Sequence, residues 1–187
     1  MPVKPEILKR SSAARSRLFE VESLNLRFSN GVERTYERLA SKGHGAVMMV
    51  AITDEQELLL VREYACGPHD YVLTLPKGKI DAGETPAEAA HRELQEEVGF
   101  GSQKLTVLKH LTTAPSYMGH GITLVIAEAL YPSRLEGDEP EPLEVVRWPL
   151  NQIDALALHT EFNEGRAIAA LYLLKLHMNT LANESPE

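Results

Sequence analysis

Between Gly78 and Phe100 the chain reads GKIDAGETPAEAAHRELQEEVGF, and this stretch constrains the fold more than any other. Its local signals define one short helix. Thr85-Pro86-Ala87-Glu88 has the form of a capping box, with a Thr N-cap, Pro at the first helical position and Glu three residues after the cap. Gly99 is a natural C-terminal stop. The spacing therefore predicts a helix from about Pro86 to about Val98. Residues three and four apart share a face, so Glu93, Glu96 and Glu97 project together. Ala87, Ala90, Leu94 and Val98 form the opposite, apolar stripe. A Glu-rich helix is ordinarily a solvated face, but these acids crowd one side without a Lys four residues on, and a glycine-containing loop leads into them. Clustered carboxylates repel one another, and a hard divalent cation is the natural partner for such a set.

The spacing is specific: Gly78, five residues, Glu84, seven residues, then Arg92-Glu93-Leu94-Gln95-Glu96-Glu97-Val98-Gly99-Phe100. At every fixed position it resembles the Nudix box, the signature of the Nudix hydrolase superfamily. Further segments, RSRLFEVESLNLRFSNGVERTYERL, LVREYACG, TAPSYM and LEGDEPEPLEVVRWPL, are similar to the ADP-ribose pyrophosphatase branch of that superfamily, and within it to bacterial hydrolases of ADP compounds. With the box they span most of residues 15–150.

The rest of the chain agrees with one enzyme core. Its 187 residues suffice for a full hydrophobic interior with a small extra element. A net charge of −8 argues against nonspecific nucleic-acid binding. One cysteine, Cys66, cannot form an internal disulfide, and no signal peptide or long apolar run is evident, so a cytoplasmic protein without a membrane segment is expected. Residues 1 to about 15 read as polar, basic and loose. Strand patterns follow over 19–28, 35–39, 46–52, 57–64, 71–75, 105–111, 122–130 and 145–148, with Asn30-Gly31 as a hairpin turn. Ile168, Leu171, Leu174 and Leu181 fall at helical spacing in a tail helix, and 183–187 read as disordered. Pattern alone gives an α+β fold. The resemblance implies the Nudix α/β/α sandwich with mixed sheets, preceded by an N-terminal antiparallel sheet over residues 1–45 that builds a two-fold homodimer, the catalytic domain being 46–187.

The resemblance also implies a chemistry: hydrolysis of the pyrophosphate bond of ADP-containing compounds (ADP-ribose, NADH, diadenosine polyphosphates) to AMP and a second phosphorylated product. Two or three Mg2+ ions, or Mn2+, would be held by Glu93, Glu96 and Glu97 with the backbone carbonyl of Lys77 or Gly78. Arg92 is expected to hold a box carboxylate through a bidentate pair, and Glu84 to reach back toward the cluster in support. Glu139 and Glu141, in the acidic, proline-rich stretch after Leu135, are both candidates for the general base. Tyr36 occupies the place of an adenine-stacking aromatic, Arg38 and Arg62 could meet phosphate, and Ser116 and Tyr117 border the substrate. Two positions depart from the branch: Ala65 stands where relatives often carry Arg, and Thr74 where they often carry Glu, which favours recognition of ADP compounds more broadly than ADP-ribose alone. A Nudix enzyme of another nucleoside diphosphate derivative, such as a nucleotide sugar, and a non-catalytic nucleotide-binding Nudix module are the alternatives.

Overall fold

The computed structural model of the protein describes residues 2–41 and 43–184. The chain forms two compact units, Met1–Lys42 with Thr112–Gly121, and Gly43–Leu111 with Ile122–Glu187.

The first unit is a three-stranded antiparallel sheet of β1 (Glu6–Arg15), β2 (Glu20–Arg27) and β3 (Glu33–Leu39), in that order. Gly31, at φ 81°, makes the β2–β3 turn in the left-handed region that Asn-Gly sequences favour. β1 corrects the expectation that the first fifteen residues are loose. Every residue of β1 is exposed, so no alternation of apolar and polar residues marks it; backbone pairing to β2 holds it extended.

The second unit contains a mixed sheet in the order β10-β5-β4-β9-β8, with β6 pairing with β5 and β7 with β4. Its strands are β4 (Ala46–Ile52), β5 (Glu57–Ala65), β6 (Asp70–Thr74), β7 (Lys77–Lys79), β8 (Phe100–Thr112), β9 (Gly121–Pro132) and β10 (Glu144–Pro149). β4 runs parallel to β9 and antiparallel to β5 and β7. Alternate side chains of β4 enter two different cores. Met48, Val50 and Ile52 join one core, completed by Ile153 and Leu156 of α2 (Ile153–Ala157) and by Ala167, Ala170, Leu171 and Leu174 of α3 (Gly165–Glu184). Val47, Met49 and Ala51 join the other, completed by Ala89, Ala90, Leu94 and Val98 on and beside α1 (Pro86–Glu97). This is an α/β/α sandwich with a mixed sheet, the architecture that the resemblance implies. Leu94 has no exposed surface, so truncating it to Ala costs about 2–5 kcal/mol; its burial fixes which side of α1 faces outward.

Three local readings change. The apolar stripe of α1 uses Ala89 where Ala87 was expected. In α3, Ile168 and Leu181 remain 37% and 46% exposed, and Ala167 and Ala170 fill the core instead. Asn183 and Glu184 belong to α3, while residues 185–187, also expected to be disordered, lie outside the described residues.

Candidate active site

α1 begins as its sequence dictates. Thr85 Oγ1 accepts from the Glu88 amide, and the Glu88 carboxylate accepts from the Thr85 amide at 2.8 Å. The helix ends at Glu97 with Val98 as its C-cap, and Gly99 follows at φ 76°, a conformation glycine adopts without a Cβ clash. This fixes the phase of the acidic face.

Arg92 organises that face. Its Nε and Nη2 donate to the two oxygens of Glu84 at 2.8 and 2.9 Å, a bidentate pair, and Nη2 also donates to the Lys79 carbonyl at 2.9 Å. Its Nη1 donates to Glu93 at 2.8 Å and to Glu96 at 3.0 Å. One guanidinium thus draws together three carboxylates that would otherwise repel. The arginine holds the Glu84 carboxyl down to about 2, with the Asp81 amide assisting. Glu84, and after it Glu93, raise Arg92 above the usual guanidinium value.

Glu97 is anchored separately. It is 6% exposed and accepts from the Lys77 amide at 2.9 Å. Burial outweighs that hydrogen bond and pushes its carboxyl up to about 8. Burial also raises Glu93, against the pull of Arg92. The Lys77 ammonium pairs with Glu63 of β5. Gly78 sits in β7 opposite Val47. A Cβ there would lie 1.8 Å from Glu93 Cδ, so the glycine leaves room for that carboxylate to rest on the backbone.

The segment from Arg134 to Leu143 closes a cavity of about 290 Å³ over Glu93, Glu96 and Glu97, and both Glu139 and Glu141 line it. Glu139 also lines a larger cleft, about 740 Å³, together with Lys77, Gly78 and the three glutamates. Glu139 is exposed over much of its surface, yet partial desolvation, then Glu63 and Asp138, push its carboxyl up. Glu141 instead accepts from the Tyr71 hydroxyl.

The expected substrate contacts are spread more widely. Arg62 is committed to Glu144 and Glu161, each at 3.0 Å. Tyr36, Arg38, Ser116 and Tyr117 belong to the first unit. There Tyr36 is 49% exposed beside Phe28, and Arg38 donates to Glu22 at 2.9 Å. Ser116 and Tyr117 lie in an exposed turn whose Tyr117 carbonyl accepts from the Leu39 amide at 2.8 Å.

Among the described residues no group of three or more acidic, His or Cys side chains converges as a ready cation cage. Glu93 and Glu96 turn one oxygen to Arg92, and Glu97 turns one to Lys77. The other oxygen of each, Oε2 of Glu93, Oε1 of Glu96 and Oε1 of Glu97, has no hydrogen bond among the described residues. All three glutamates line one cleft beside the Lys77-Gly78 main chain. In donor type and in position they suit a hard divalent cation.

This fold and this acidic helix define a Nudix hydrolase: residues 42–171 match the NUDIX domain, and the chain belongs to that family, whose members generally need divalent metal ions. Residues 5–38 match the NudE-type Nudix hydrolase N-terminal domain. The chain is 54% identical over 172 residues to the ADP compounds hydrolase NudE of Escherichia coli, covering 92% of each chain. It is 28% identical over 175 residues to an ADP-ribose pyrophosphatase of Bacillus subtilis, covering 90% of this chain and 94% of that one. A crystal structure of an ADP compounds hydrolase superposes with a TM-score of 0.91 at 51% identity, over 97% of both chains.

Proposed function

We propose that this protein hydrolyses the pyrophosphate bond of ADP-containing compounds, among them ADP-ribose, NADH and diadenosine polyphosphates, to AMP and a second phosphorylated product. The observation that carries this reading is the complete acidic face of α1, held by Arg92 and Lys77 in a family whose similar members are named as ADP-compound hydrolases. Glu93, Glu96 and Glu97, with the main-chain carbonyls of Lys77 and Gly78, would hold Mg2+ or Mn2+, two or three ions. When bound, the cations supply positive charge to the phosphate oxygens and lower the pKa of water.

The chain's own residues do the rest. Arg92 keeps Glu84, Glu93 and Glu96 from splaying, which preserves the orientation of the carboxylates. Glu139 is the general base: its raised pKa and its place in the larger cleft both support this. Water adds to one phosphorus, its proton passes to the Glu139 carboxylate, and the bond to the bridging oxygen breaks. Glu141, tied to Tyr71, steadies the segment that carries the base. Tyr36, Arg38, Ser116 and Tyr117 are proposed as substrate-binding residues, and Arg62 is proposed to act only after yielding an acid partner.

We read residues 1–45 as a dimerisation region and the enzyme as a homodimer. Across β1, β2 and β3 only Leu24 is buried, while Ile7, Leu8 and Tyr36 are exposed, and a three-stranded sheet needs a covered face for stability. No helix among the described residues is long and apolar enough to cross a membrane; a cytoplasmic site of action belongs to the same proposal. The test is a side-by-side rate measurement with Mg2+ on ADP-ribose, NADH, diadenosine triphosphate and ADP-glucose, reading AMP by chromatography. AMP release from the first three supports the reading; no release from any sinks it.

A further inference from the structure

We propose that Arg166 is a diphosphate-binding residue of this site, with Glu164 and Thr74 as the residues that position it; the inference rests on the pyrophosphatase reading above. The larger cleft is lined by the three glutamates of α1, Asp138 and Glu139, and an anionic substrate entering it must find positive charge. Four basic side chains line the same cleft: Lys77, Lys79, Arg92 and Arg166. Arg92 spends all three nitrogens on Glu84, Glu93, Glu96 and the Lys79 carbonyl. Lys77 is paired with Glu63. Lys79 is exposed and offers a point charge on a flexible stem.

Arg166 differs from all of these. Only its Nε is engaged, donating to Glu164; its two terminal nitrogens have no protein hydrogen bond among the described residues. A planar guanidinium with both terminal nitrogens available matches the geometry of phosphate oxygens. The side chain is also held from behind. Thr74, with no exposed surface, donates its hydroxyl to the other Glu164 oxygen at 2.8 Å. Glu164 therefore bridges Arg166 to the end of β6, three residues before Lys77. Such bracing lowers the rotamer entropy that binding must still remove.

The test is calorimetric titration of ADP in Mg2+ buffer, which reads the diphosphate grip without turnover. Arg166→Ala is expected to weaken ADP about 10- to 100-fold, the range for charge-assisted hydrogen bonds, at an unchanged melting temperature. Arg166→Lys, keeping the charge without the fork, should fall between. Thr74→Val is expected to weaken ADP about threefold or more alone, and to have no further effect in the Arg166→Ala background. ADP affinity within twofold of wild type in Arg166→Ala, or in Arg166→Lys should the alanine variant misfold, overturns the inference; so does additivity of Thr74→Val with Arg166→Ala, or wild-type protein that takes up no ADP. Wild-type protein that binds ADP through Arg166 yet hydrolyses no ADP compound would sink the pyrophosphatase reading and leave this inference standing.

Discussion

Replacing Gly78 by Ala should separate activity from stability in this protein. The added Cβ would lie 1.8 Å from Glu93 Cδ and 2.1 Å from both carboxylate oxygens, whereas ordinary contact begins at 3.4 Å. The carboxylate must therefore retreat by about 1.6 Å, the difference between those two distances. It can do so cheaply, because it is the free end of a flexible side chain. Gly78 is not among the glycines at positive φ, so Ala is tolerated there, and Gly→Ala at a compatible position favours folding by about 0.4–1 kcal/mol. Weakening of the Glu93–Arg92 hydrogen bond offsets that by about 1 kcal/mol. The melting temperature should thus stay within a few degrees. Catalysis has no such tolerance: displacement of a positioned group by about 1 Å costs about 10²-fold. The assays are scanning fluorimetry and kcat/KM for ADP-ribose. Combination with Glu93→Ala is decisive, since Gly78→Ala should then add nothing. A Gly78→Ala enzyme with wild-type kcat/KM, or one whose defect adds fully to Glu93→Ala, refutes the reasoning.

Other outcomes follow from the same geometry. Glu97→Gln should fold and lose turnover by orders of magnitude, because an amide is a poor ligand for a hard cation; an undiminished rate would remove Glu97 from the ligand set. The same variant tests the raised carboxyl. With a folded value of about 8 against an ordinary 4.5, the native state favours neutral Glu97, so this group's stabilisation is complete below about pH 4.5 and is lost as pH rises toward 8. Metal-free wild type should accordingly lose up to about 1.4 kcal/mol per pH unit in that window relative to Glu97→Gln, read from urea melts at stepped pH; parallel profiles would contradict the assignment. Glu139→Gln should lower kcat with KM nearly unchanged, and Glu141→Gln should act more weakly; the reverse order in steady-state kinetics would move the base to Glu141. Sedimentation at micromolar concentration should give twice the chain mass, and a monomer would remove the dimer.

The box helix was legible because its instructions are local: Thr85, Pro86 and Glu88 act within its first turn, and Gly99 acts just past its end. The buried strands were legible from continuous apolar runs such as Ala46–Ile52. What escaped has non-local causes. β1 is recognised only through its pairing with β2, and its Ser- and Arg-rich composition carries no period. β7 is three residues long, and α2 five. Arg92 was foreseen with one carboxylate but gathers three, because Glu84 approaches from before the helix. Lys77 and Arg166 line the cleft of the acidic face from β7 and α3, and Glu63 reaches Lys77 from β5, so spacing along the chain gave no signal of this juxtaposition. Gly78 is expected from the resemblance only as a possible backbone-carbonyl ligand; it sits in a short strand, and the space it leaves is taken by a side chain.

From Arg134 to Pro142 every residue is exposed, and among the described residues the segment's side-chain hydrogen bond to the sheet is one, from the phenolic hydroxyl of Tyr71. Changes of length or charge there would therefore leave both hydrophobic interiors undisturbed. The rim of the pocket can diverge while the acidic helix stays fixed, which makes this stretch the natural place for selection, or an engineer, to retune which nucleotide is admitted.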